Sequence, residues 1–261
     1  RTEVSFSHDY ANNLQGTITR IETIAPGDSV LSLTTNTWLT DEISPNASGV
    51  NAKRFRTSLG QTTVIKRDLN GAFLHREVND YIYDEYGNPN TLTSKVYSNA
   101  SGGVLLRTKV STNTWQNDSA NWLIGLLDRA EVAVTDHSQS APPLSRVSSF
   151  TYDNSSGRKL AEQILDPDSG LVLHETRYGE DLSGQLQQDS FGNLLATTVK
   201  GPDFANRSQS VSFDSNYGLY PVESRDAQGN LTLNTYYGNN EFGGGAYPGK
   251  VSVTTAPNGL Q

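Results

Sequence analysis

The stretch Tyr83-Asp84-Glu85-Tyr86-Gly87-Asn88 decides how this chain is read, because its kernel, an Asp three residues before a Gly that Asn follows, comes back twice. The other copies are Asp189-Ser190-Phe191-Gly192-Asn193 and Asp226-Ala227-Gln228-Gly229-Asn230. Asp at the first position of a type I turn accepts hydrogen bonds from backbone N–H groups two residues on, and Gly at the fourth takes the left-handed conformation that a Cβ penalises. Such a turn, closed by a left-handed residue, is a three-residue hairpin loop with a bulge that suits the twist of its strands. Asp84, Gly87, Asn88, Asp189, Gly192, Asn193, Asp226, Gly229 and Asn230 are therefore expected at hairpin corners. Looser copies occur at Asp68-Leu69-Asn70-Gly71, Tyr152-Asp153 with Gly157, Asp166-Pro167-Asp168-Ser169-Gly170, and Phe213-Asp214 with Gly218. Spacing between the glycines is irregular, which argues for hairpins of unequal length rather than a strict solenoid.

Between the corners the dominant period is two. Ala130 to Asp136 alternates, with Val132 and Val134 on one face, and so do Leu231 to Tyr237, Val211-Ser212-Phe213 and Val251-Ser252-Val253. These segments read as half-buried strands. One short helical turn is expected over Asp118-Ser119-Ala120-Asn121-Trp122-Leu123, capped by Asn117 or Asp118 and ended by Gly125. Loops are expected at Ser44 to Gly49, Ser98 to Gly103, Ser138 to Pro143 and Gly238 to Gly245.

Composition narrows the function. Hydrophobic residues make up 34% of the chain, low for a compact globule, and sheets with one wet face account for the deficit. Twenty basic against 28 acidic residues leave a net charge of -8, which speaks against nucleic acid as a partner because that surface must be concentratedly basic. The basic run Lys53-Arg54-Phe55-Arg56 reads as a solvated edge strand. Cysteine is absent, so neither a disulfide framework nor a thiolate nucleophile or zinc–thiolate site is available. Methionine is absent too, and the chain is expected to be a processed or excised piece of a longer polypeptide. No run of about 18 apolar residues predicts a membrane span, and Arg1-Thr2-Glu3-Val4-Ser5 leads into no signal-peptide block.

Reactive constellations are thin. His8, His75, His137 and His174 lack metal-ligand spacing, no serine sits in a GxSxG context, and Asp166 with Asp168 supplies too few ordered oxygens for a calcium loop. No cofactor motif occurs. The six Asn-x-Ser/Thr sequons, at Asn46, Asn99, Asn117, Asn154, Asn206 and Asn230, match the chance yield of so Asn- and Ser-rich a sequence.

The copies at Tyr83-Asp84, Tyr152-Asp153, Asp189 and Asp226 resemble the YD repeats of RHS-type proteins. So does Thr114-Trp115-Gln116-Asn117-Asp118 running into Asn121-Trp122-Leu123-Ile124-Gly125, which is similar to a block of the bacterial branch of that family. The resemblance runs from Asp68 to Tyr237. Gln188 and Arg225 replace the repeat tyrosine in two copies, and residues 1 to 67 match poorly. The expected division is thus a β-rich leading segment, 1–67, and a hairpin array, 68–261, without a firm boundary.

The resemblance implies an all-β fold, an array of antiparallel hairpins forming a curved or spiralling sheet. In the relatives, which include insecticidal toxin complexes of bacteria and the teneurins of animals, that sheet is a hollow shell enclosing a toxic C-terminal segment, or a surface adhesion body. It implies a noncatalytic strip of secreted or cell-surface wall whose partners are the rest of its own polypeptide, an enclosed toxin segment or a shell partner. Tyr83, Trp115, Trp122, Tyr152 and Phe213 would be aromatic anchors between adjacent strands. A catalytic reading exists: family shells end in an aspartyl self-cleavage region with an Asp-Pro-x-Gly signature, which Asp166-Pro167-Asp168-Ser169-Gly170 resembles with one residue inserted. That insertion and the repeats that follow favour a turn. The alternative from another class is an adhesin-like module gripping a glycan or protein through Tyr10, Tyr236 and Tyr237.

Overall fold

A computed structural model describes residues 1–43, 54–237 and 249–260. The loops expected at Ser44 to Gly49 and Gly238 to Gly245, the sequon at Asn46, and Lys53 of the basic run lie outside the described residues. The described chain is all β, with sixteen antiparallel strands in one open sheet whose spatial order is the sequence order. It contains two compact units, Arg1–Val147 and Ser148–Gln261. Residue 67, where the family resemblance fades, falls at the end of a strand in the first.

Unit 1 holds β1 (Thr2–Phe6), β2 (Ile18–Ile24), β3 (Val30–Ile43), β4 (Arg54–Arg67), β5 (Phe73–Tyr83), β6 (Pro89–Asn99), β7 (Gly102–Asp118), β8 (Leu123–Asp136) and the start of β9 (Leu144–Tyr152). Its strands are rich in Thr and Val, whose branched side chains suit a pleated surface. Register shows why so few apolar residues suffice. One cross-strand row runs Thr35, Thr63, Val78, Lys95, Thr108, Thr135, and the next, on the opposite face, runs Asn36, Thr62, Asn79, Ser94, Lys109, Val134. Both faces are polar across the middle, so the expectation of one wet face understates the case. Ile24 and Val147 are the nearly closed apolar side chains here.

Unit 2 continues with β10 (Lys159–Leu165), β11 (Val172–Tyr178), β12 (Ala196–Gly201), β13 (Phe204–Phe213), β14 (Pro221–Arg225), β15 (Leu231–Tyr236) and β16 (Val251–Thr255). Its nearly closed residues are Ala161, Glu175, Ala196, Thr198 and Asp214.

The helical turn expected over Asp118 to Leu123 is corrected: residues 119–122 are the tip of the β7–β8 hairpin, and the described residues contain no helix. The cap itself forms. Asp118 Oδ1 accepts from the N–H groups of Ala120 (2.9 Å) and Asn121 (3.1 Å). The same bonds open a helix or close a hairpin, and Trp122 at φ +57° turns the chain back instead of onward.

Candidate functional site

The three quoted corners have one chemistry. At Asp84, Oδ1 accepts from the N–H of Tyr86 (2.9 Å) and of Asn88 (2.8 Å), while the Asn88 amide donates to Oδ2 (2.9 Å). Asp189 repeats this with Phe191 and Asn193, each bond at 2.9 Å, and Asp226 with Gln228 and Asn230 at 2.8 to 2.9 Å. Gly87, Gly192 and Gly229 stand at φ +93°, +91° and +84°. The Asn of the phrase is thus a second tie on the carboxylate. At Asp84 and Asp189 burial pushes the carboxyl up, but the Asn bonds outweigh it, and at Asp226 the Asn230 amide leads, so all three lie below the usual carboxylate range.

Asp153, Asp166 and Asp214 close corners one residue longer, with Gly157, Gly170 and Gly218 donating to their carbonyls at 2.8 to 3.0 Å. Asp166 Oδ1 accepts from the Ser169 hydroxyl (2.7 Å) and from the N–H groups of Asp168 and Ser169. The Ser169 hydroxyl leads in holding that carboxyl low. These donors make the Asp-Pro stretch a hairpin corner between β10 and β11.

Neighbouring corners on one edge are stitched together. The Asn117 amide donates to Asp84 Oδ2 (3.1 Å) and its carbonyl oxygen accepts from Gly125 N–H (2.8 Å). Gly125, at φ +77°, sits so near Asn88 that a Cβ would come within 2.9 Å of Oδ1. This gives the tryptophan block a purpose: Asn117 and Gly125 receive the Asp84 corner. In unit 2 Asn193 donates to the Gly218 carbonyl (2.6 Å) and Arg158 to that of Gly192 (2.7 Å).

Of the aromatic residues, Tyr83 donates its hydroxyl across to the Leu59 carbonyl (3.0 Å), and Trp115 its ring N–H to the Pro89 carbonyl (3.2 Å). Phe213 ends β13 opposite Pro221, and Tyr152 ends β9, both half-buried. Trp122 stands apart at its hairpin tip, 86% exposed. Tyr236 donates to the Pro221 carbonyl (2.9 Å) and packs on Tyr220, with ring centroids 5.1 Å apart.

Two features escape a reading of the sequence. The first is a clamp: Asn36-Thr37-Trp38, Asn113-Thr114-Trp115 and Asn234-Thr235-Tyr236 each aim the Asn amide and the aromatic donor at one carbonyl, of Ile18, Pro89 and Pro221 respectively. Each of these carbonyls belongs to the residue that opens a strand just after a corner, and each clamp coincides with a register shift in its own strand. The thrice-repeated Asn-Thr-aromatic triplet was the available signal.

The second is a tongue. Between β11 and β12, residues 180–187 form a small hairpin, closed by Asp181 and Gly184 in the corner chemistry and bridged between Glu180 and Leu186. It folds onto the sheet face that carries Ala161, Glu175, Arg177, Thr198 and Lys200, which the β10–β12 register aligns. Thr198, fully buried, donates to the Glu180 carbonyl (2.5 Å). The Glu180 carboxylate pairs with Arg177 (2.9 Å) and Lys200, and Glu175 pairs with Arg177 (3.0 Å) and accepts from Gln163 (2.6 Å). Burial pushes both glutamates up, but their cation and amide partners win and hold them below the usual range. This charge ladder binds tongue to sheet. Among the described residues no group of three or more His, Cys, Asp or Glu converges to hold a metal, and no helix is long and apolar enough to cross a membrane.

No family model matches the chain, and no curated protein matches it. Among solved structures it is similar to TcdB2-TccC3, with 12% identity and a TM-score of 0.58 over 98% of this chain. It spans only 16% of that chain's length. A TcdB2-TccC3-TEV structure gives 14% identity, coverage of 90% and 13%, and a TM-score of 0.29; a porin-like protein from Bacteroides uniformis gives 13%, 83% and 86%, and 0.26. The first shares the strand path; the other two scores carry no structural argument.

Proposed function

We propose that this chain is a noncatalytic wall segment of a large secreted or cell-surface RHS-type protein, a strip of shell that encloses or helps deliver a toxin. The observation that carries the reading is the strand path: sixteen strands in strict sequence order, several of them turned at Asp-to-Gly corners, with a fold similar over 98% of the chain to that of TcdB2-TccC3. A sheet polar on both faces suits a partition between two aqueous compartments. The corner carboxylates of Asp84, Asp189 and Asp226 are occupied by turn N–H groups and Asn amides, and those of Glu175 and Glu180 by paired cations, which supports a structural rather than a catalytic use of them. The remaining polypeptide of the parent, an enclosed segment and a shell partner are the partners this role requires, and nucleic acid is not among them.

Electron microscopy of the parent polypeptide tests the reading. A hollow particle with this sheet in its wall is the expected result, and a solid particle, or one with this sheet folded apart from any enclosure, refutes it. The adhesin alternative has lost one support, since Tyr236 is engaged within the sheet, and keeps Tyr10, whose ring is exposed. A glycan array probed with the wild-type chain and with Tyr10→Ala separates the two readings.

A further inference from the structure

β13 is open on one side over its first half. It pairs with β12 down to Phe204 but with β14 only from Ser210 upward, because β14 ends at Arg225 and the chain turns back at the Asp226 corner. Among the described residues no strand lies beside Ala205 to Gln209 on that side. The Val211 N–H donates to the Leu195 carbonyl (2.8 Å), and alternation from there sends the N–H and the carbonyl of Ser208 to the open side.

Two hollows flank this open stretch, one on each face of the sheet. The first, of about 480 Å³, has Val199 and Phe204 as its apolar floor and Arg207 at its rim, with the His174 ring centroid 6.1 Å from that of Phe204. The second, of about 510 Å³, lies beside the tongue tip at Asp181 and Ser183. Ser208, Gln209 and Ala227 line both.

We infer that this notch in unit 2 binds an extended peptide as an added strand antiparallel to β13, with an acidic side chain set against Arg207 and apolar side chains two residues to either side of it. Water can satisfy the Ser208 backbone, but an extended peptide satisfies it with a donor and an acceptor in step and carries side chains along with them. Those side chains fall on alternate faces of a strand, so they enter the two hollows in turn. Arg207 is the one charged residue between 205 and 209, and among the described residues no carboxylate pairs with it. A bare guanidinium beside an apolar floor selects a carboxylate with apolar neighbours. A second copy entering by the same edge would bring another Arg207 and no acid to answer it. The inference goes beyond the wall reading and does not depend on it.

Fluorescence anisotropy of a labelled peptide, Thr-Val-Thr-Glu-Thr-Val-Thr with blocked ends, titrated with the whole chain tests it. Saturable binding is expected. N-methylation of the two threonines beside the glutamate removes ladder donors and should weaken binding roughly tenfold or more. Lysine in place of the glutamate should weaken it similarly, and Arg207→Glu in the protein should reverse that order, so that the lysine peptide binds better. Arg146→Glu, at an exposed position of β9, changes the net charge equally and should bind as wild type. Circular dichroism checks that both variants remain β-rich; the altered peptides leave the protein untouched and decide the matter if Arg207→Glu unfolds. Absence of binding, equal binding of the N-methylated peptide, an unreversed order in folded Arg207→Glu, equal loss in Arg146→Glu, or a dimer in sedimentation that the peptide does not dissociate overturns the inference.

Discussion

Unit 1 builds long strands on little burial, whereas unit 2 builds short strands under a cover. β3, β4 and β8 have 14 residues each and β7 has 17, while β14 and β15 have five and six. The long strands make many ladder bonds and leave both faces wet. In unit 2 the tongue closes one face over Ala161, Glu175, Ala196 and Thr198. A single-layer sheet therefore has two ways to hold its shape: length with capped corners, or a local second layer fastened by charge.

The largest effect is expected where the tongue leaves the sheet. Gly179 has φ +79°, and a Cβ there would lie 2.6 Å from Leu194 Cδ2 and 3.0 Å from Leu186 Cδ1. Gly179→Val should destabilise unit 2 by about 3 kcal/mol, seen as faster hydrogen exchange over residues 175 to 200 with β6 and β7 unchanged. Equal loosening of β6 and β7 would erase the contrast between the units. Thr198→Val removes the buried donor to the Glu180 carbonyl and should cost about 2 kcal/mol by urea unfolding.

Acid should loosen the tongue next. Glu175 and Glu180 titrate below the usual carboxylate range when folded, so their contribution is complete above that range and is lost as pH falls through their lowered values. Exchange over residues 179 to 187 should rise on acidification before the middle of β7 responds. A tongue that stays protected while β7 opens would assign its hold to packing instead. Tyr83→Phe, in unit 1, loses one hydrogen bond to Leu59 and should cost about 1 kcal/mol. Leu69→Ser, whose side chain is exposed at its corner, should change stability by less than about 0.5 kcal/mol.

How far the chain was legible depends on how local each cause is. Asp84 to Asn88 could be read as a corner because the bonds that shape its turn fall within five residues, and the strands between corners followed from their alternation. Asp118 was misread because its bonds to Ala120 and Asn121 serve a helix start and a hairpin tip alike; only the path after Trp122 separates them. Asp181-Leu182-Ser183-Gly184 carries the same turn signal as the other corners, and nothing in its own residues says that it folds onto the sheet instead of continuing it. That outcome rests on Thr198 and Lys200, which reach Glu180 only once β12 has paired with β11. The Asn-Thr-aromatic triplets were visible as text, but their target carbonyls lie 15 to 26 residues upstream of the aromatic donors.

The clamps carry a mechanical consequence. Pulled by its two ends, a meander of this order is loaded at its outermost strands, and each ladder opens bond by bond like a zip rather than shearing at once. Trp38, Trp115 and Tyr236 would act as pawls, each holding back a strand until its grip on Ile18, Pro89 or Pro221 gives way, so the strip would lengthen in steps instead of tearing.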